Sequence, residues 1–231
     1  GNQFLGNIRE TDAIIHVLRC FDDGNVVHVD GSVDPVRDKE IIDTELQLKD
    51  LETVENRIKR VEKIAQVGND KNAKVEYGVL TAIREALLEG KNARSVVFES
   101  KDEQAAARNL FLLTSKPVLY VCNVDEGSAV SGNEYVERVR EAVAPEGAEI
   151  LVVAAQTEAD IAELETFEER QEFLKDVGLE ESGVNRLIKA AYKLLDLETF
   201  ITAGEIEVRA WTYKRGWKAP QCAGVIHTDF E

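Results

Sequence analysis

The stretch 116–128, KPVLYVCNVDEGS, decides the fold. Val118 to Cys122 form an unbroken run of apolar and β-favouring residues, the pattern of a strand buried on both faces as in a parallel sheet. The run then breaks onto Asn123, Val124, Asp125 and Glu126 before a Gly-Ser turn. A buried strand that stops on an amide and two carboxylates either reaches the surface there or presents those groups to a ligand. Ligands of open α/β sheets bind just beyond the carboxyl ends of the strands. The local pattern leaves both readings open, because polar residues follow most strands.

Working outward, residues 12–19 (DAIIHVLR) predict a second buried strand and 148–156 (AEILVVAAQ) a third. Helices are predicted between and after them. Ser100 with Glu103 is a capping box opening a helix over 101–114, and residues 133–144 form another. Thr166 with Glu169 repeats the capping box, with Gly178 as the stop, and 183–196 reads as an amphipathic helix. Strand and helix in alternation predict a parallel α/β sheet covered on both faces.

An insertion interrupts this pattern. Asp34-Pro35 combines a capping aspartate with proline at the first helical position. From there Leu48, Leu51, Val54, Ile58, Val61 and Ile64 recur at spacings of three and four, one apolar stripe on a long coiled-coil-like helix. A turn around VGNDKN reverses the chain, and Ala73, Leu80, Ile83 and Leu87 predict a second arm, giving a helical hairpin over roughly 34–90. The stripe packs the two arms together; a partner surface is the alternative. After about 197 the sequence becomes β-rich and turn-punctuated, like the front of a small second domain.

Composition narrows the function classes. Of 231 residues, 44% are hydrophobic and 31% charged, as in ordinary globular proteins. The net charge of −16 excludes a surface that is a nucleic-acid footprint throughout, and DNA is not an expected partner. No run approaches the roughly 18–20 apolar residues of a membrane span, so no membrane partner is expected. Cys20, Cys122 and Cys222 are odd in number and far apart in sequence, which predicts free thiols in a reducing, cytoplasmic setting. His16, His28 and His227 show no metal-ligand spacing, and His16 reads as a core histidine. The chain contains no methionine, which reads as a trimmed piece of a longer protein.

Several segments in order resemble the YchF/Obg-like ATPase family of P-loop proteins: GNQFLGNIRETDAIIHVLRCF at the start, NVDE at 123–126, TEADIAEL at 157–164, GLEESGVNRLIKAAYKLL at 178–195, then FITAGEIEVRAWT and APQCAGVIHTDFE. The resemblance implies an α/β, parallel-sheet P-loop NTPase-like domain with an inserted helical hairpin, followed by a small β-grasp (TGS) domain, truncated at both ends. The expected pieces are 1–33 and 100–196 for the nucleotide-binding domain, 34–99 for the hairpin and 197–231 for part of the TGS domain. It also implies ATP as the nucleotide, association with the ribosome, and Asn123, Val124 and Glu126 as the border of an adenine site, with Ala154 and Ala155 in a second flanking loop. GTPases of the wider class carry Asn-Lys-x-Asp here, the aspartate accepting from guanine. Val124 and Glu126 replace that lysine and aspartate, which favours adenine.

No G-x-x-x-x-G-K-S/T occurs in the chain, so no catalytic residue is assigned. The phosphate loop and the magnesium ligands are expected upstream, and this chain alone is expected to be inactive. Residues 209–218, RAWTYKRGWK, interleave cations with aromatics in the manner of RNA-binding segments, making Lys214, Arg215 and Lys218 candidate RNA contacts. The alternative is a strand with Trp211 turned inward and a solvated basic turn after it. From 198 to 231 there are four Lys/Arg against five Asp/Glu, a net of −1, so the other −15 lies upstream and this segment is only weakly acidic toward a polyanion. A non-catalytic RNA- or protein-binding module built on the hairpin and this cluster is the second reading.

Overall fold

The computed structural model describes residues 2–28, 31–68 and 70–230, the side chains of 2–4 and 230 excepted. Val29 and Asp30 of the Asp/Gly-rich loop, Asn69 of the hairpin turn, Gly1 and Glu231 lie outside the described residues. A short helix α1 (Asn2–Glu10) leads into β1 (Ile14–Arg19). The long arm α2 (Pro35–Val67), its return α3 (Lys71–Leu88) and the short α4 (Lys101–Arg108) precede β2 (Val118–Asn123). Then come α5 (Glu134–Val143), β3 (Ile150–Val153), α6 (Ala155–Glu163), α7 (Phe167–Asp176) and α8 (Gly183–Leu194). The chain closes with β4 (Leu197–Ala203), β5 (Val208–Lys214) and α9 (Ala219–Gly224). No described helix is long and apolar enough to cross a membrane.

The three strands pair in parallel in the order β1-β2-β3, with Arg19 opposite Asn123 and Asn123 opposite Val153. One face carries Leu18, Tyr120 and Cys122 against Val136, Val139 and Val143 of α5. The other carries Leu119, Val121 and Leu151 against Leu187 and Ala190 of α8. The central strand is therefore buried on both sides, as its continuous run predicts. β1 is a correction. Ile15 is 45% and Val17 61% exposed, because α8 covers β2 and β3 and stops short of the edge strand.

The hairpin is present. Asp34 caps α2 through Oδ1, accepting from the main-chain N–H of Val36 and of Arg37, and Asp70 caps α3 in the same way. Val54, Val61 and Ala65 face Ala73, Leu80, Ile83 and Leu87. The predicted stripe is right at its centre and wrong at its ends. Leu48 and Ile64 are exposed, and the buried line runs instead through Leu46, Asp50, Val54, Val61 and Ala65. Ala106 and Ala107 of α4 pack against the same cluster. That helix ends at Arg108, six residues before the predicted 114, and Phe111 takes a left-handed backbone (φ 49°) that an α-helix cannot continue through.

Two predicted ends behave as read. The Thr166–Glu169 capping box is formed, and Gly178 follows α7 at φ 76°. A third does not. The predicted strand over 148–156 is only four residues long, because the chain turns into α6 at Ala155. The C-terminal β4 and β5 form an antiparallel pair, with Phe200 opposite Trp211.

Candidate functional site

The carboxyl ends of β2 and β3 meet through one side chain. α6 begins after Ala154, whose methyl group cannot cap a helix, and no side chain of its own sequence does so. Asn123 supplies the missing acceptor: its Oδ1 takes the main-chain N–H of Ala155 at 3.0 Å. The main chain beside it is tied on both flanks. Asn123 O accepts from Cys20 N at 2.7 Å, and Val124 N donates to Val153 O at 2.9 Å. Val124 and Ala154 are each only 4% exposed, packed in the α5-side core, whereas Glu126 and Ala155 are exposed. Four of the five expected base-site residues, Asn123, Val124, Ala154 and Ala155, thus form one ledge, with Glu126 beginning the next turn.

This geometry corrects what the ledge offers a ligand. The sequence suggests that Asn123 presents both a donor and an acceptor, and Val124 a main-chain pair. The Asn123 oxygen gives one of its two lone pairs to Ala155, and the Val124 N–H is spent in the sheet. An N–H facing Oδ1 fixes the amide so that its NH2 is the face left for a ligand. The Val124 carbonyl carries no main-chain donor among the described residues. The Asn123 amide NH2, the Val124 carbonyl and the exposed Asp125 and Glu126 carboxylates are therefore the polar groups nearest this strand end.

Neighbouring loops are braced by residues that sequence reasoning missed. Asp125 accepts from Ser128 N at 3.0 Å and Ser128 Oγ at 2.9 Å, closing the turn after Val124. Asn133 both caps α5 and donates Nδ2 to Cys20 O at 2.8 Å, linking that helix to the end of β1. Glu158 accepts from Gly183 N at 2.6 Å and Val184 N at 3.1 Å, capping α8 from α6. Gly183 is needed there: a Cβ would meet Val153 Cγ1 at 2.8 Å and Glu158 Oε1 at 2.9 Å. Cys20 and Cys122, distant in sequence, are fully buried and free. A hydrogen bond to Cys122, reinforced by burial, raises the Cys20 thiol well above its ordinary range. Only the short Ser182-Gly183 helix start signals any of this in the sequence.

Away from the strand ends, the hairpin root is locked by a buried charge cluster. Lys39 Nζ lies 2.7 Å from both Asp43 Oδ2 and Glu146 Oε1, and Arg94 reaches Glu146 Oε2 at 2.8 Å. Tyr120 of β2 donates its hydroxyl to the same Glu146 oxygen at 3.0 Å. Burial opposes the charge on Glu146, but the bonds from Arg94 and Lys39 outweigh it and hold the carboxyl below its usual range. Burial pushes the Tyr120 phenol up and the half-buried His16 imidazole down; that ring sits 5.6 Å from Tyr120, in keeping with its core reading. A cavity of about 1030 Å³ opens beside Lys39, Arg94 and Glu146, reaching Val118 at the start of β2 rather than Asn123 at its end. Further along α2, the fully buried Asp50 accepts from Leu113 N at 2.9 Å and from Thr114 N and Oγ1 at 2.7 Å.

The basic-aromatic segment lies apart, on β5 and the turn after it. Trp211 is half-buried, donates Nε1 to Thr202 Oγ1 at 2.9 Å and carries Arg209 stacked 4.2 Å over its ring. Arg215 faces Glu198 at 3.2 Å, while Lys214 and Lys218 are exposed. Much of the cluster is thus engaged within the two-stranded sheet. Among the described residues no group of three or more His, Cys, Asp or Glu is placed to hold a metal ion.

A family model named YchF-GTPase_C, described as a protein of unknown function (DUF933), matches residues 197–231. The ribosome-binding ATPase YchF of Bacillus subtilis (strain 168) is 54% identical over 233 residues, covering 100% of this chain and 63% of the relative. The protein of the same name from Escherichia coli O157:H7 is 52% identical over 231 residues, covering 100% of this chain and 62% of its own length. Among solved structures, the Schizosaccharomyces pombe YchF GTPase superposes with a TM-score of 0.88 at 36% identity, over 100% of this chain and 62% of that one. The chain therefore spans a little under two thirds of the length of the relatives it matches.

Proposed function

The chain belongs to the YchF family, and on that premise we propose that it is the base-reading and hairpin-bearing part of an ATP-hydrolysing protein that associates with the ribosome in the cytoplasm. The observation carrying this reading is the Asn123 Oδ1–Ala155 N bond, which joins the two strand-end loops and leaves the amide NH2 facing outward. Adenine suits the groups that remain. Its ring nitrogens can accept from the Asn123 amide, and its 6-amino group can donate to the Val124 carbonyl. Guanine would bring a carbonyl where that amino group is, oxygen against oxygen, and Glu126 stands one methylene away from where an aspartate would take the guanine donors. A site that leaves such groups unpaired rejects the wrong base by about 1–3 kcal/mol for each.

In this reading residues 123–126 and 154–155 select and orient the base, and 197–231 are part of a TGS domain. ATP supplies the phosphoric anhydride that is cleaved. The phosphate loop, magnesium ligands and catalytic groups are assigned to residues outside 1–231, since the chain has no G-x-x-x-x-G-K-S/T, and the chain alone is expected not to turn over ATP. The test is a titration of the full-length protein with fluorescent ATP and GTP analogues in magnesium. Wild type is expected to prefer the adenine analogue, and Asn123→Ala to reduce that preference about tenfold or more. Discrimination that survives the substitution unchanged would remove the base from this ledge.

A further inference from the structure

The distal turns of the hairpin carry a charge pattern that neither the fold nor the base site uses. Residues 57–74 hold six Lys or Arg against two Asp or Glu, a net of +4 in a chain whose total is −16. With about 3.6 residues per turn, Lys59, Arg60 and Lys63 share one outward arc of α2, opposite the buried Val54, Val61 and Ala65. All three are exposed, as are Lys71 and Lys74 in the first turn of α3. Among the described residues Lys59, Arg60, Lys63 and Lys74 have no ion-pair partner, and Lys71 only approaches the exposed Asp102 at 3.9 Å. Arg57 alone is firmly held, at 2.5 Å from Glu76. Like charges three and four residues apart on a helix are mildly repulsive, so the Lys59, Arg60 and Lys63 set contributes nothing to the stability of α2 that would account for it.

We infer that this hairpin tip is a docking surface for the phosphate backbone of structured RNA. The inference rests on the ribosome-associated part of the proposed function and names the surface that makes the association. A solvated face is the ordinary fate of a charge run, but here the net sign opposes that of the whole chain, and four of the six cations, Lys59, Arg60, Lys63 and Lys74, have no ion-pair partner among the described residues. The local field therefore attracts a polyanion while the rest of the surface repels it, which orients the molecule tip-first. The exposed Val67 and Ile64 beside these cations offer apolar contact to sugar and base faces. The segment 209–218 is a weaker candidate on the same grounds, with Arg215 facing Glu198 and Arg209 lying on Trp211.

The experiment uses the full-length protein, wild type and a Lys59→Gln/Arg60→Gln/Lys63→Gln variant. Co-sedimentation with purified ribosomes is paired with anisotropy of a fluorescein-labelled ribosomal RNA hairpin across a salt series. The variant is expected to bind both at least tenfold more weakly, with the slope of log affinity against log salt shallower by about 2–3, close to one for each phosphate that the variant leaves unneutralised. Melting and ATP-analogue binding are expected to be unchanged; should melting fall, Lys63→Gln alone reads the same slope one phosphate at a time. Wild-type affinity and slope retained in the variant would overturn the inference and leave ribosome association standing. Loss of ribosome binding with RNA-hairpin binding intact would assign the tip to a ribosomal protein and overturn it equally. Wild type that fails to sediment with ribosomes would remove the reading on which the inference rests.

Discussion

Lys39 and Lys63 lie on the same helix, yet one is 7% exposed between two carboxylates and the other is in solvent without an ion-pair partner among the described residues. At the root of the hairpin, Lys39 and Arg94 converge on Glu146, and Tyr120 of the central strand completes the set. Asp50, one turn short of the buried middle of α2, takes both main-chain N–H groups of Leu113 and Thr114. The root is thereby fastened to β2, the strand that runs through Tyr120 to Asn123. At the tip, Lys59, Arg60, Lys63 and Lys74 meet no carboxylate among the described residues, and only Arg57 is firmly paired. The contrast teaches that a cation's role follows from its surroundings: buried and paired it fixes a joint, exposed and unpaired it is available to a partner.

The strongest way to break the comparison is at the root. Asp50→Ala strands two buried main-chain donors and is expected to cost about 3–5 kcal/mol in urea unfolding. A loss below about 1 kcal/mol would mean that the loop before β2 holds itself. Next in size is Glu146→Gln, which keeps the shape but not the charge beside Lys39 and Arg94, at about 2 kcal/mol near neutral pH. Its pH dependence carries a sign. The Glu146 carboxyl is held below its usual range, so its stabilisation is present above the unfolded value and is lost as pH falls through the folded one. Wild-type stability should therefore drop more steeply below about pH 4.5 than that of Glu146→Gln. Asp50 works against this: burial raises its carboxyl despite three hydrogen bonds, so its term favours the fold at low pH and fades as pH rises through the folded value. In Asp50→Asn the acid limb should accordingly steepen. A limb identical in all three proteins would show that neither group titrates with folding.

The smallest effect belongs to the tip. Lys63→Ala should change stability by no more than about 0.5 kcal/mol, as for an exposed residue without a partner. Lys39→Ala, the same substitution two dozen residues earlier, should cost several times more, since it leaves Asp43 and Glu146 short of a cation. Equal losses at the two positions would erase the distinction between root and tip.

Much of the fold is legible because its signals are local. Asp34-Pro35, the Ser100 and Thr166 capping boxes and Gly178 each act within four residues, and each is found where the sequence places it. The strand 118–123 is readable from its continuous apolar run because burial on both faces needs nothing else. Errors arise where distance decides. The stripe over Leu48 and Ile64 has the right period, but its burial depends on which side α3 and the 112–114 loop occupy. The strand through 12–19 has the right residues, but whether Ile15 and Val17 are covered depends on the reach of α8.

The candidate site divides the same way. By itself the sequence determined the strand that ends on Asn123, the hairpin inserted before it and the cations of 209–218, since apolar periodicity, caps and charge are written residue by residue. Tertiary structure alone decided that Asn123 caps a helix 32 residues further on, ending β3 early and engaging the amide oxygen. It alone decided that Lys39 meets Glu146 while Lys63 meets no carboxylate among the described residues. Hydrogen bonds and ion pairs act over about 3–4 Å of space whatever the separation along the chain, so their partners exist only once the chain has folded.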